Sequence, residues 1–206
     1  MSSSKWNGGE VVTTSPEFTS DWFSATSTRG EGSWLLHVVP KLKHLQRVRW
    51  LEIGSWEGRS ALWTASTILT SADSQLVCVD PWPSGWSDKA EILFDKNTRE
   101  ETRIVKMRGR SSCVLPLLRD SSFHGCYIDG LHGEQPVLFD AREAARLLVP
   151  GGILIFDDYK NNPAEPTNDD WGVMVAVDKF LAEMGPKIEV LFKGWQLIAR
   201  VCGELT

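Results

Sequence analysis

The sequence predicts an α/β protein: a doubly wound, mainly parallel sheet of seven strands that ends in a C-terminal antiparallel hairpin. Three observations predict it. Five short apolar runs alternate with helix-like patterns between residues 48 and 156. The first run ends in a glycine turn that opens a helix, LEIGSWEGRS at 51–60. Residues 188–192 and 195–201 face each other across Lys193-Gly194, which reads as a two-residue hairpin turn.

Taken in order, residues 1–17 are rich in Ser, Thr and Gly and read as a loose arm. The segment 18–24, FTSDWFS, sets aromatics around Asp21 and reads as a cover over a pocket or over plain surface. Trp34, Leu35, Val38, Val39 and Leu42 have helical spacing, with a break at Pro40. Residues 1–47 are thus an arm and cap segment, and 48–206 form one domain. Strand 48–53 stops at Gly54, helix 59–70 follows, and strand 75–79 ends at Asp80. The loop 81–88, PWPSGWSD, leads to a helix at 89–97 and a strand at 102–107 closed by Gly109. A short helix at 112–118 carries Pro116. Strand 123–128 runs to Asp129. Helix 135–148 repeats Val137, Leu138, Ala141, Ala144, Ala145 and Leu148 at three-to-four spacing until Pro150-Gly151-Gly152 stops it. Strand 152–156 runs to Asp157-Asp158, a polar loop spans 159–171, and a helix covers 173–183.

Composition narrows the function classes. With 206 residues and a formal net charge of -5, the chain fits one acidic domain. Its basic residues, such as Lys41, Lys43, Arg47 and Arg49, are interleaved with apolar or acidic ones and read as solvated faces, not a nucleic-acid footprint. No apolar run approaches the ~18 residues of a membrane span. The N-terminus lacks an apolar signal core, which places the protein in the cytoplasm. Cys78, Cys113, Cys126 and Cys202 form no C-x-x-C pair and read as buried thiols. Of the ten tryptophans, Trp22, Trp34, Trp56, Trp82, Trp86 and Trp171 fall near loops or element ends, where a flat ligand and ordinary packing explain them equally.

The chemistry concentrates at strand tips. In a parallel sheet neighbouring strands end on one edge, and ligands bind outside it. Asp129 ends one strand, Asp157 and Asp158 end another, and His132 follows Asp129 by three residues. Each also has a plain reading: Asp129 before Gly130 as a turn acid, His132 as a helix-start residue packed on Leu131, and Asp157-Asp158 as loop solvation or capping. His37, His44 and His124 have no acidic company and read as structural. At the glycine turn a dinucleotide site would need G-x-G-x-x-G, but Trp56 and Arg59 stand at the second and third places, and an indole blocks approach to a pyrophosphate. Gly54 and Gly58 still admit a smaller nucleoside. Glu52 can pair with a cationic group, and Asp80 can accept both ribose hydroxyls. A cationic nucleoside without phosphate is S-adenosylmethionine.

At this point the chain resembles the class I S-adenosylmethionine-dependent methyltransferases, with their Rossmann-like fold. It is most similar to the metal-dependent O-methyltransferases, namely catechol O-methyltransferase and the macrolide and aminocoumarin sugar O-methyltransferases. LEIGSWEGRS resembles the catechol enzyme's first motif, and GRSSCVLPLL at 109–118 its adenine-side loop. YIDGLH at 127–132 resembles the metal-and-base motif, and IFDDY at 155–159 the second metal motif. The similarity runs from about residue 48 to 200. It implies cofactor contacts from Glu52, Gly54, Ser55, Trp56, Gly58, Ser60, Asp80, Pro81, Trp82, Ser111, Ser112 and Asp129. It implies Mg2+ or another divalent cation on Asp129, Asp157 and Asp158, with His132 and Asp129 catalytic. The catechol enzyme has lysine where this chain has His132 and asparagine where it has Asp158, and many relatives have tyrosine in place of Glu134.

The chemistry wants such residues. Methyl transfer is an in-line displacement whose nucleophile, a hydroxyl, must lose a proton. A hard cation stabilises the developing alkoxide, and an imidazole near its ordinary pKa of about 6.5 can take the proton. The expectation is an O-methyltransferase for a small hydroxylated molecule, without nucleic-acid or membrane partners; oligomeric state stays open, a homodimer included. Two alternatives remain: a metal-dependent relative tied to hydroxylation, and a non-catalytic nucleoside-binding module.

Overall fold

The computed structural model describes residues 15–20, 23, 31–85, 88–160 and 170–203. Asp21, Trp22, Trp86, residues 1–14 of the arm and 161–169 of the polar loop lie outside the described residues.

Seven strands form one sheet in the order β3-β2-β1-β4-β5-β7-β6. They are β1 (Arg49–Ile53), β2 (Gln75–Asp80), β3 (Ile104–Arg108), β4 (Phe123–Ile128), β5 (Leu148–Phe156), β6 (Ile188–Lys193) and β7 (Leu197–Val201). The first five are parallel, and β7 runs antiparallel to both β5 and β6. Both faces are covered, so the inner strands read as continuous apolar runs. Leu51, Ile53, Cys126 and Ile128 point to one core. Trp50, Leu76, Cys78 and Tyr127 point to the other, as a two-residue repeat requires.

Helices α1 (Glu31–His37), α2 (Val39–Leu42), α3 (Arg59–Thr67) and α4 (Asp88–Thr98) cover the Trp50 face. Helices α5 (Ser111–Val114), α6 (Glu134–Leu147) and α7 (Asp170–Met184) cover the other. The break expected at Pro40 separates α1 from α2, where proline sits in the first turn and its missing N–H costs nothing. Pro116 likewise opens a single 3-10 turn, Leu115–Leu117, so the helix expected over 112–118 is two short pieces. Helix α6 buries Val137, Leu138, Ala141, Ala144 and Ala145 on one stripe.

Two local expectations are corrected. The Pro-Gly-Gly sequence does not separate α6 from the next strand. Helix α6 passes directly into β5 at Leu148, because Leu148 already pairs with Phe123 on β4. Pro150 and Gly151, with φ of 84° at the glycine, fall where the ladder shifts register, the place in a strand that tolerates them. The last hairpin turns through three residues, 194–196, not two: Lys193 pairs with Leu197, and Gly194 N–H donates to the Gln196 carbonyl at 2.9 Å.

Trp34 and Trp82 are wholly buried and pack as core, so packing explains both. Of the cysteines only Cys78 and Cys126 are buried; Cys113 and Cys202 are exposed, and all four are free thiols.

Candidate functional site

The winding of the chain reverses between β1 and β4, and the crevice at such a reversal is where open α/β sheets bind ligands. Two acids are delivered there by register alone. Ile53 pairs with Ile128, and Ile128 with Phe156, so the next residues on β4 and β5, Asp129 and Asp157, emerge side by side. Asp129 N–H still donates to the Ile53 carbonyl at 2.8 Å, and Asp157 N–H to that of Ile128 at 3.0 Å. The backbone continues the ladder while the carboxylates enter the crevice.

The glycine turn forms the crevice's other wall. Gly54 has φ of +84°, and a Cβ on it would lie 1.9 Å from the Asp129 carbonyl oxygen, so glycine is required for the close approach of β1 and β4. Gly58, also at positive φ, is the residue before α3. Asp80 braces the turn. Its Oδ2 accepts the Ser55 and Trp56 amides at 2.9 and 3.1 Å, and its Oδ1 accepts the Trp82 amide at 2.8 Å. Trp82 Nε1 donates to the Trp56 carbonyl at 2.9 Å. Trp56 and Trp82 both hold positive φ, 45° and 38°. Non-glycine residues adopt this conformation uncommonly, and such strain is concentrated at functional sites.

An open cleft results, lined on the turn side by Gly54, Ser55, Trp56, Arg59 and Ser60, and on the strand side by Tyr127, Asp129 and Asp157. From the segment read as a cover over a pocket or over plain surface, Phe18, Ser20 and Phe23 line the same cleft. Thr19 is tied to Glu57 through its amide and its hydroxyl, each at 2.7 Å, and the Arg59 guanidinium stands 4.9 Å from the Phe18 ring centre.

Tyr127 organises the acids. It lies on β4 two residues before Asp129, hence on the same face, and its ring is buried against Trp34 at 4.8 Å. Its hydroxyl lies 2.5 Å from Asp157 Oδ2 and 3.1 Å from Asp129 Oδ2. Asp157 Oδ1 accepts from the Asp158 amide at 2.9 Å and Gln196 Nε2 at 3.2 Å. Asp158, at φ of 52°, accepts from Trp195 Nε1 at 2.9 Å. His132 Nε2 lies 3.3 Å from Asp158 Oδ2 and 4.0 Å from Asp129 Oδ1. Ligand atoms of Asp129, His132 and Asp158 all fall within 4.8 Å of one another; Asp157 is not in that group.

Desolvation, then the charges of Asp157 and Asp158, push the Asp129 carboxyl up to about 7, with His132 opposing. A proton on Asp129 suits the triangle, because one phenol proton cannot serve two carboxylates. Burial and the two acids also push the Tyr127 phenol up. Beneath the turn, burial pushes the fully enclosed Glu52 up to about 8, with smaller contributions from Asp129 and Asp80. Ser55 and Ser60 hydroxyls lie beside it and oppose the shift, yet neither Glu52 oxygen has a hydrogen-bond partner.

Of the residues singled out in the sequence, Gly54, Ser55, Trp56, Ser60, Asp129 and Asp157 meet in the cleft, and His132 and Asp158 sit beside it. Glu52, Asp80 and Trp82 are buried behind the turn, and Pro81 is exposed just beyond β2. Ser111 and Ser112 begin α5 and do not line the cleft; Ser111 faces the buried Asp140, whose carboxyl burial pushes up to about 6. Sequence reading missed Tyr127, Gln196 and Trp195. A phenol in an otherwise apolar strand, one same-face step from Asp129, was the available signal for the first. The other two sit in the hairpin loop whose length was misjudged.

Residues 51–159 match the family model described as a methyltransferase domain, slightly more than half of the chain. The chain belongs to that family. Relatives agree with the methyltransferase domain's fold. A protein of Mycobacterium sp. (strain JLS), named as a candidate O-methyltransferase, is 30% identical over 122 residues, 59% of this chain and 52% of that one. The chain therefore spans about half the length of this curated relative. The O-methyltransferase TomG of Streptomyces achromogenes, involved in tomaymycin synthesis and solved with SAM, superposes at a TM-score of 0.62 with 23% identity, covering 82% of this chain and 78% of its own. An O-methyltransferase of Bacillus cereus solved with SAH gives 0.58 with 19% identity, covering 74% and 73%. No helix among the described residues is long and apolar enough to cross a membrane.

Proposed function

We propose that this methyltransferase domain transfers a methyl group from S-adenosylmethionine to a hydroxyl of a small molecule, assisted by a divalent cation. One observation carries the reading: Asp129 lines the cleft beside the glycine turn and also belongs to the group of three potential ligands. It thus stands between a donor site and an acceptor site.

The cleft suits the donor's charge pattern. The methionyl end of S-adenosylmethionine is a zwitterion next to a sulfonium. Asp129 and Asp157 line one side of the cleft and Arg59 the other. Gly54 keeps the wall flat. The donor set of two carboxylates and one imidazole fits a hard or borderline divalent ion. A cation held by Asp129 and Asp158 would lower the pKa of an acceptor hydroxyl. Asp157, expected from the sequence as a ligand, has its oxygens engaged by Tyr127, Gln196 and the Asp158 amide, and we assign it to the cleft side. His132 is the base in this reading, held by Asp158. The same distances favour a second reading, His132 as a third ligand.

Calorimetry with S-adenosylmethionine, then transfer of labelled methyl to a panel of phenols, sugars and polyketides with and without chelator, tests the proposal. Absence of S-adenosylmethionine binding overturns it. Turnover indifferent to chelator removes the cation. A product heavier by one oxygen, not one methylene, points to hydroxylation. In His132→Ala, lost Mn2+ affinity identifies a ligand; retained Mn2+ affinity with lost turnover identifies the base.

A further inference from the structure

We infer that Tyr127 is a positioning residue that sorts the three carboxylates between the two halves of the site. The inference rests on the cation reading above. The aspartates are consecutive or on neighbouring strand tips, and nothing in their spacing decides which oxygen faces which ligand. Tyr127 decides it. Its ring is fixed by the core: only 2% exposed, edge-on to Trp34 at 4.8 Å and to Phe23 at 6.5 Å. Only the hydroxyl reaches the strand tips, where it joins Asp129 Oδ2 to Asp157 Oδ2. With that oxygen held inward, Asp129 is left with Oδ1 directed at His132, 4.0 Å away, in the group shared with Asp158. Asp157, held by the same hydroxyl and by Gln196, stays on the cleft wall. A phenylalanine here would fill the same space and remove the tether on Asp129 Oδ2, while Gln196 and the Asp158 amide would still hold Asp157.

Hydrogen-bond partners that orient metal ligands typically change metal affinity 10–100-fold when removed. The test is Mn2+ affinity of the full chain, read by electron paramagnetic resonance, in wild type, Tyr127→Phe and Trp63→Phe. Trp63 packs on Phe23 and Trp34 in the same aromatic cluster but does not line the cleft, so its variant loosens the packing and spares the hydroxyl. The expected result is Mn2+ binding weakened about tenfold or more in Tyr127→Phe, with its thermal midpoint close to wild type and Trp63→Phe unaffected in Mn2+ affinity. Wild-type binding with Tyr127→Phe within twofold of it overturns the inference and leaves the cation reading standing. Equal weakening in Trp63→Phe overturns it too, since packing would then be the cause. No Mn2+ binding by wild type overturns both.

Discussion

Glu52 is enclosed at the end of β1 with neither oxygen hydrogen-bonded, and burial pushes its carboxyl from 4.5 to about 8. Through that window the folded chain keeps a proton that the unfolded chain has released. Unfolding free energy therefore falls as pH rises from about 4.5 to about 8. Glu52→Gln, which cannot ionise, should be more stable than wild type at pH 8 by about 1–3 kcal/mol and should flatten that decline. Denaturant midpoints across the pH range check this, and parallel curves for the two proteins would refute it. The sequence suggested this side chain as a partner for a cationic group, but the structure encloses it behind the turn and outside the lining of the cleft. Gly54 makes the opposite kind of demand. Gly54→Ala must relieve both a φ of +84° and a 1.9 Å approach to the Asp129 carbonyl. A cost of about 2–4 kcal/mol is expected, with Asp129 displaced and Mn2+ binding lost. Both residues were legible in the sequence, because a glycine ending a strand and an acid inside one are locally improbable. Tyr127 was not, because a tyrosine in a strand is ordinary until its hydroxyl is seen to meet two acids.

Among the elements, α1 and the loop between β6 and β7 show why the remainder of the site was hidden. Neither carries a recognisable motif, and they meet only in three dimensions. Gln196 is wholly buried. Its Oε1 accepts from Ser33 Oγ and Trp34 Nε1, both at 2.9 Å, while its Nε2 donates to Asp157. One amide thus fastens the N-terminal helix to the acid cluster across more than 160 positions of sequence. The periodicity of α1 was readable; its partner was not, because pairwise tertiary bonds leave no periodic trace. Gln196→Ala takes away the acceptor of two buried donors at once. At about 1–3 kcal/mol for a buried polar group left unsatisfied, the loss of the Trp34 Nε1 acceptor should take about 1–3 kcal/mol of stability. Hydrogen exchange should rise in α1 first. Exchange that rises uniformly across the sheet would mean that Gln196 stabilises the fold generally and does not couple this helix to the site.

Across the whole molecule, the mainly parallel, doubly wound class was legible because each parallel crossover needs an intervening helix, and the sequence alternates accordingly. Boundaries were lost where pairing overrode local signals, as at Leu148, where a cross-strand partner extends the strand through Pro-Gly-Gly. The family match begins at residue 51, so everything that closes the cleft from the N-terminal side lies outside it. We propose that the described residues of this part, 15–20, 23 and 31–47, form the cap that individualises the site. Its best-defined attachment is Asn97 on α4. The Asn97 side chain accepts the Glu17 amide at 2.8 Å and donates to the Glu17 and Glu57 carbonyls, each at 2.9 Å. Three remote stretches of chain therefore meet at one side chain: the cap segment, α4 and the glycine turn. Asn97 is half-buried at the helix end and carries no part of the core. Asn97→Ala should therefore cost the fold only about 1 kcal/mol, while loosening the Glu17 end of residues 15–20 and leaving Thr19 tied to Glu57. Freed segments raise dissociation rates more than they lower association rates. Stopped-flow displacement of S-adenosylmethionine should show faster release, several-fold or more, with association little changed. An unchanged release rate would mean that the segment rests on the cleft without closing it.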